Sequence, residues 1–296
     1  MGVRALHIIA PLGLGAIGAG GWYGFSTLHP KNLKQYLEWQ GFKLASYSHD
    51  NTWKSILEEN KDLLSKIPEL KGDNLPISKI RDWCYSRYGY TNFDDLKDSA
   101  SKLCVDNPRT VKGSIIQKSG SIDALIKSDS SEAEKQYKVS FLFRKHIEGF
   151  KDLIGYSTPA PQKEGDAPKE NLKDAYEKLK SWCDRSLLQK PTDSLISNVE
   201  IFCSPKKFKT IKELIQLNKE TLLTDSSKSS ELSDKHNKIK DLDSYKNDPT
   251  VTGTASEVSS LQTWCKTMEN KEFSDDGVFE DYPKFRFRCV SVGSES

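Results

Sequence analysis

The chain reads as all-α: an N-terminal transmembrane helix followed by tandem helical-hairpin units joined by polar linkers. Three observations carry that reading. An uncharged stretch separates Arg4 from Lys31, a Trp-Cys pair recurs three times on helical spacing, and no Val/Ile-rich runs spaced for a parallel sheet follow.

The first element is the uncharged stretch. Ala5 to Phe25 is 21 residues long, roughly 31 Å at helical rise and close to the ~30 Å hydrocarbon core of a bilayer. Trp22 and Tyr23 stand at its end, where an aromatic belt lies. Gly13, Gly15 and Gly18 also spell G-x-G-x-x-G, the turn of a dinucleotide fold. The helix that turn would launch has no polar face, carries glycines at 18, 20, 21 and 24, and meets Pro30. Glycine weakens a soluble helix but is tolerated in a membrane one, so the span is the better reading. A cleaved signal peptide competes, with Gly18 and Gly20 as small residues for cleavage. The apolar run exceeds a usual signal core, which favours an uncleaved anchor over residues 1–30.

The body divides on the Trp-Cys pairs, Trp83-Cys84, Trp182-Cys183 and Trp264-Cys265. Each is followed by one further cysteine, Cys104, Cys203 and Cys289, at separations of 20, 20 and 24 residues. An apolar residue precedes each Trp by three (Ile80, Leu179, Leu261), and "TVKGSII" after Cys104 echoes "TIKELI" after Cys203. These matches predict a first unit over 31–127, a second over 128–227 and a third, truncated one over 228–296. Within each unit the Trp-Cys residue pair lies on a helix whose cysteine faces the core and whose Trp lies on the flank. The second cysteine ends an antiparallel partner helix after a short turn at Gly89 or at Gln189–Pro191. Asn92 and Asp95 have the spacing of a capping box at one such helix start.

Two readings of the cysteines stay open. Free cysteine is among the most buried residue types, so all six could be small apolar core residues. Alternatively each pair is a disulfide stapling its hairpin, which the regular pairing without remainder favours. An ideal hairpin opposes this, because the two cysteines of a pair lie at different heights from the turn. Only an oblique packing brings their Cα atoms within the ~7 Å limit.

Further amphipathic helices are expected over "NTWKSILEENKDLLSKI" and "EAEKQYKVSFLFRKHIEGFKDLI", with "HNKIKDLDSYKND" as the third equivalent. Residues 158–170 and 224–235 read as linkers. "FDDLKD" and "FSDDGVFEDYPKFRFR" are the places where short strands or a bound ion could be argued.

A formal net charge of +2, with 29% of residues charged in mixed order, gives no field that would select nucleic acid. No C-x-x-C, H-E-x-x-H, P-loop or G-x-S-x-G occurs, and the five histidines (7, 29, 49, 146, 236) are scattered. No catalytic, cofactor-binding or metal-binding residue is therefore assigned.

The glycine- and alanine-rich N-terminus, "IRDWC" with "LCVDNPRTVKGSI", and "LKSWC" with "FCSPKKFKTIKEL" resemble the large paralogous sets of uncharacterised membrane-anchored proteins of hemotropic mycoplasmas. That resemblance implies a membrane-attached protein of a wall-less bacterium, surface-exposed and antigenically variable. It supplies no catalytic residue. The expected partners are the membrane, through residues 5–25, and an unknown protein, of the host under the resemblance. Lys31, Lys34 and Lys43 after the span favour a cytoplasmic body, whereas paired cysteines favour an extracellular one, and the latter is preferred. The function expected is non-catalytic, in host interaction or antigenic variation. The alternatives are a membrane-tethered hydrolase and an inward-facing scaffold.

Overall fold

The computed structural model describes residues 29–161, 163 and 168–291. The expected membrane segment, Ala5 to Phe25, lies outside the described residues. Among the described residues no helix is long and apolar enough to cross a membrane. They are predominantly helical, and the chain forms two compact units that part after Asn107.

The first compact unit holds one Trp-Cys repeat. It runs through α1 (Leu33–Trp39), α2 (Asp50–Glu59), α3 (Lys61–Leu64), a 3-10 turn at Pro68–Leu70, α4 (Ile77–Arg87) and α5 (Lys97–Leu103). The Trp-Cys helix is α4, and Cys104 caps α5. Leu33, Leu37, Trp53, Ile80, Ala100 and Leu103 fill one core with both cysteines.

The second compact unit holds two repeats. The earlier one comprises α6 (Val111–Ser119), α7 (Ala133–Leu142), α8 (Phe150–Ile154), α9 (Leu172–Leu187) and α10 (Asp193–Phe202). The later one comprises α11 (Ile211–Leu217), β1 (Thr221–Leu222), α12 (Ser229–Ile239), α13 (Asp243–Lys246), α14 (Val258–Glu269), α15 (Val278–Cys289) and β2 (Val290–Ser291). Each has its own core, and Val139 of α7 joins the later one. Phe143 fastens the two: its ring meets Phe208, Phe273 and Phe279 edge-on at 4.8, 4.9 and 5.1 Å, the offset geometry aromatic rings prefer.

Three equivalences define the repeat. Its first helix opens on a side-chain cap, Asn32, Thr110 or Thr210, which accepts a backbone N–H of the first turn. The first helical residue then donates its backbone N–H to the carbonyl six residues after the Trp-Cys cysteine: Leu33 to Tyr90, Val111 to Gln189 and Ile211 to Lys271. Finally the backbone N–H of Ala45, Ile126 or Leu223 donates to the carbonyl of the second cysteine, Cys104, Cys203 or Cys289, at 3.0, 2.8 and 2.8 Å. Beside that bond, Leu44 bridges Val105 and Leu222 pairs with Val290, in the same antiparallel register.

These equivalences move the boundaries read from sequence. "TVKGSII" and "TIKELI" do not close a repeat; as α6 and α11 they open the next one, because Val111 and Ile115 pack in the core of Cys183 and Cys203, and Ile211 and Ile215 in that of Cys265. The edges at 127 and 227 fall inside repeats. Among the described residues the third repeat carries a Trp-Cys helix, a second-cysteine helix and the same seam as the other two.

Local chemistry explains the other departures. Residues 224–235, read as a linker, mostly enter a 3-10 turn and α12: Asp225 caps the turn by accepting Ser227 N–H, and Leu232, His236 and Ile239 repeat at helical spacing on the buried face. "FSDDGVFEDYPKFRFR" is mainly α15, entered through Gly277 at φ 81°. Val278, Phe285 and Cys289 form its buried stripe, which outweighs Pro283 in the interior. Asn92 builds no capping box; α5 is entered through a 3-10 turn at Asp94–Leu96 with Phe93 at its N-cap. A capping box is present at α11, where Thr210 and Glu213 cap each other's backbone N–H.

Candidate interaction surface

All six cysteines pair within their own repeats, Cys84 with Cys104, Cys183 with Cys203 and Cys265 with Cys289, and none is free. Their Cα atoms stand 5.5, 5.8 and 5.7 Å apart. The hairpin objection is met by oblique packing. Cys183 lies about 6 Å along α9 from its end, while Cys203 lies about 15 Å along α10 from its start. Two parallel rods could not bring these residues together, so the helices must cross.

The three Trp side chains are core residues, not flank residues: Trp83, Trp182 and Trp264 are 5%, 7% and 3% exposed. They reach burial by different means. Arg87 lies over the Trp83 ring at 4.6 Å, Trp182 meets Phe202 edge-on at 6.1 Å, and Trp264 donates Nε1–H to the Thr250 hydroxyl. Arg288 covers the Trp264 ring at 4.9 Å.

With the scaffold repeated, the positions that differ stand out. The residue after the Trp-Cys cysteine and the residue two beyond the Ala45/Ile126/Leu223 position form one such pair. In the earlier repeat of the second unit they are Asp184 and Ser128, joined by a 2.6 Å hydrogen bond that Ser128 donates. In the last repeat Lys266 and Asp225 hold them, and both are exposed. In the first repeat they are Tyr85 and Tyr47, edge-on at 5.0 Å.

The Tyr47–Tyr85 pair grows into a surface patch. Tyr88 adds a third ring at 5.1 Å from Tyr85, and the Arg81 guanidinium sits 4.6 Å over the Tyr47 ring. Asp50 holds Arg81 at 2.6 Å, which fixes the cation in place. Tyr47 and Tyr85 remain 50% and 41% exposed although they pack edge-on. Tyr88 is half-buried and donates its hydroxyl to the Cys104 carbonyl at 3.1 Å. Burial chiefly, with Tyr85 and Glu38 beside it, drives the Tyr88 phenol well above its ordinary pKa. It therefore stays a neutral donor that ties the patch to the disulfide. Trp39 and Tyr90 add exposed aromatic surface to the same compact unit.

Elsewhere the first unit has an open groove of about 700 Å³ along Leu57, Leu64 and Leu70. Ser65 borders it, but its hydroxyl is committed to the Asp62 carbonyl. Among the described residues no group of three or more His, Cys, Asp or Glu is placed to hold a metal ion. Among the described residues the most buried histidine, His236, contacts the Ala255 carbonyl at 2.9 Å and packs against Tyr245.

Sequence reasoning identified the six cysteines and three tryptophans but missed the tyrosine patch. Tyr85 and Tyr88 lie three apart on and just past α4, but Tyr88 continues the core-facing spacing of Ile80 and Cys84, so sequence spacing assigned it to the core and not to a surface patch. Tyr47 comes from a loop nearly forty residues earlier and could not be placed beside them. No protein-family model matches the chain, and comparison with curated proteins and with solved structures returns no match.

Proposed function

We propose that this is a membrane-anchored, outward-facing interaction protein, a disulfide-stapled repeat scaffold that acts by contact and not by catalysis. The observation that supports it best is the use of all six cysteines in three intra-repeat disulfides. Such bonds persist in oxidising surroundings and are rare where thiols are kept reduced. Ala5 to Phe25 supplies the anchor under this reading. The contact face is the Tyr47–Tyr85–Tyr88 patch with Arg81, because tyrosine and arginine dominate binding hot spots and rigid aromatics cost little entropy on contact. The partner is a protein, and the resemblance to hemotropic mycoplasma proteins makes a host protein the class to try first.

Protease shaving of intact cells tests the address. Loss of the folded body while a cytoplasmic marker survives is the expected result, and survival of the body would favour the inward-facing scaffold. Replacing Tyr47 and Tyr85 together by serine should alter stability by less than about 1 kcal/mol, since both are half exposed. Adhesion of the purified chain to host-cell surfaces should fall at least tenfold in that variant, and unchanged adhesion would remove the patch from the account.

A further inference from the structure

Two neighbouring cations of the second compact unit, Arg144 and Lys206, are withdrawn from solvent without a carboxylate partner. Arg144, just beyond the end of α7, is 6% exposed. Its guanidinium donates to the Ser140 hydroxyl and carbonyl on one side and, at 3.0 and 3.1 Å, to the Ser204 hydroxyl and carbonyl on the other. All these acceptors are neutral. The C-terminal ends of α7 and α10 offset part of this charge through their dipoles. Burial lowers the Arg144 pKa to about 10.

Lys206, two residues past Ser204, has no such offset. It is half-buried, with its ammonium 5.8 Å from the Phe143 ring. Its pKa is lowered by burial first and by repulsion from Arg144 second. Lys206 also lines a cleft with Glu132, Lys135, Lys209, Glu272 and Ser274. The two carboxylates there are already engaged: Glu132 with Lys209 at 3.1 Å and Glu272 with Lys135 at 2.9 Å. Lys135 and Lys209 are thus paired and about half exposed, whereas Lys206, with Arg144 behind it, is partly desolvated and has no carboxylate. A desolvated excess of positive charge is costly unless an anion completes it.

The cleft volume is about 40 Å³. One water needs roughly 10–15 Å³ on this measure, so the space is on the scale of a tetrahedral oxyanion.

We propose that this cleft is a binding site for a phosphate-type oxyanion, contacted by the Lys206 ammonium, with Arg144 as the fixed positive charge behind it. The Ser274 hydroxyl lines the same space and donates to Glu272 at 3.0 Å, so Lys206 is the group free to change partner. The proposal does not depend on the address or on the tyrosine patch.

Equilibrium dialysis of the full chain against labelled inorganic phosphate, at constant ionic strength made up with chloride, tests it. One saturable phosphate per chain is expected. Lys206→Gln should bind at least tenfold more weakly, while Lys206→Arg retains binding. Because Lys206→Gln removes a repelled, half-buried cation, its thermal stability should match or exceed that of the parent, which separates lost binding from lost folding. Competition by glycerol 3-phosphate stronger than by unlabelled phosphate assigns an ester-borne group, and the reverse assigns the free ion. Absence of saturable binding, or equal binding by Lys206→Gln, would overturn the proposal.

Discussion

Asp248 and Arg288 meet at 2.8 Å with side chains only 3% and 4% exposed. Arg288 also donates to the Ser244 carbonyl and lies between the rings of Tyr245 and Trp264, at 5.1 and 4.9 Å. Burial alone would raise the Asp248 pKa. Hydrogen bonds from the Thr250 hydroxyl and backbone N–H, with the Arg288 guanidinium, outweigh it and hold the carboxyl at about 2. A depressed carboxylate contributes stability that is present above its unfolded value of about 4 and lost as pH falls through its folded value. The third repeat should therefore lose on the order of 2 kcal/mol between about pH 4 and pH 2 from this group alone. Asp248→Asn should cost about 3 kcal/mol at pH 7 by stranding a buried guanidinium, and should flatten that acid slope. Urea titrations across pH, read by tryptophan fluorescence, check both; a variant that keeps the slope contradicts the assignment. No spacing in the sequence marked this pair, because its partners are forty residues apart and belong to different helical patterns.

At the scale of elements, the Trp-Cys helices were legible because Ile80, Cys84 and their counterparts keep strict three-to-four spacing, and the structure places them on core-facing stripes. The partition into repeats was not. α6 begins only seven residues after Cys104, and chain proximity assigned it to the wrong core; the deciding bond, Val111 to Gln189, spans most of a repeat. α12 was hidden by its serines, whose composition says linker although Leu232, His236 and Ile239 say helix. α15 was hidden by Gly277 and Pro283, which punctuate its start and interior. The staples were legible as a regularity and opaque as geometry, since oblique crossing is a packing outcome. Each closes a loop of 20 or 24 residues, for which restriction of the unfolded chain contributes about 3 kcal/mol. Cys84→Ala with Cys104→Ala should lose that amount. Hydrogen exchange should then accelerate first in α4, in α5 and at the Ala45 amide, which bonds the Cys104 carbonyl. Faster exchange confined to other elements would show that the seam does not depend on the staple.

At the scale of the whole molecule, the account joins a sequence feature outside the described residues, the uncharged segment Ala5 to Phe25, to three repeats whose cysteines are all spent on cross-links. The scaffold conserves its hydrogen-bonded seam while the residues beside it change from Tyr47 and Tyr85 to Ser128 and Asp184 to Asp225 and Lys266. A constant frame with changing surface residues suits contact with a partner more than assembly of one reaction centre. The address and the cross-links stand together, because cytoplasmic reductants would open the disulfides. The most direct test is to treat intact producing cells with a fast alkylating reagent, denature the protein and map its cysteine peptides without reduction. The account predicts no alkylated cysteine and three cross-linked peptide pairs, Cys84 with Cys104, Cys183 with Cys203 and Cys265 with Cys289. Six alkylated thiols, or pairs running between repeats, would contradict it.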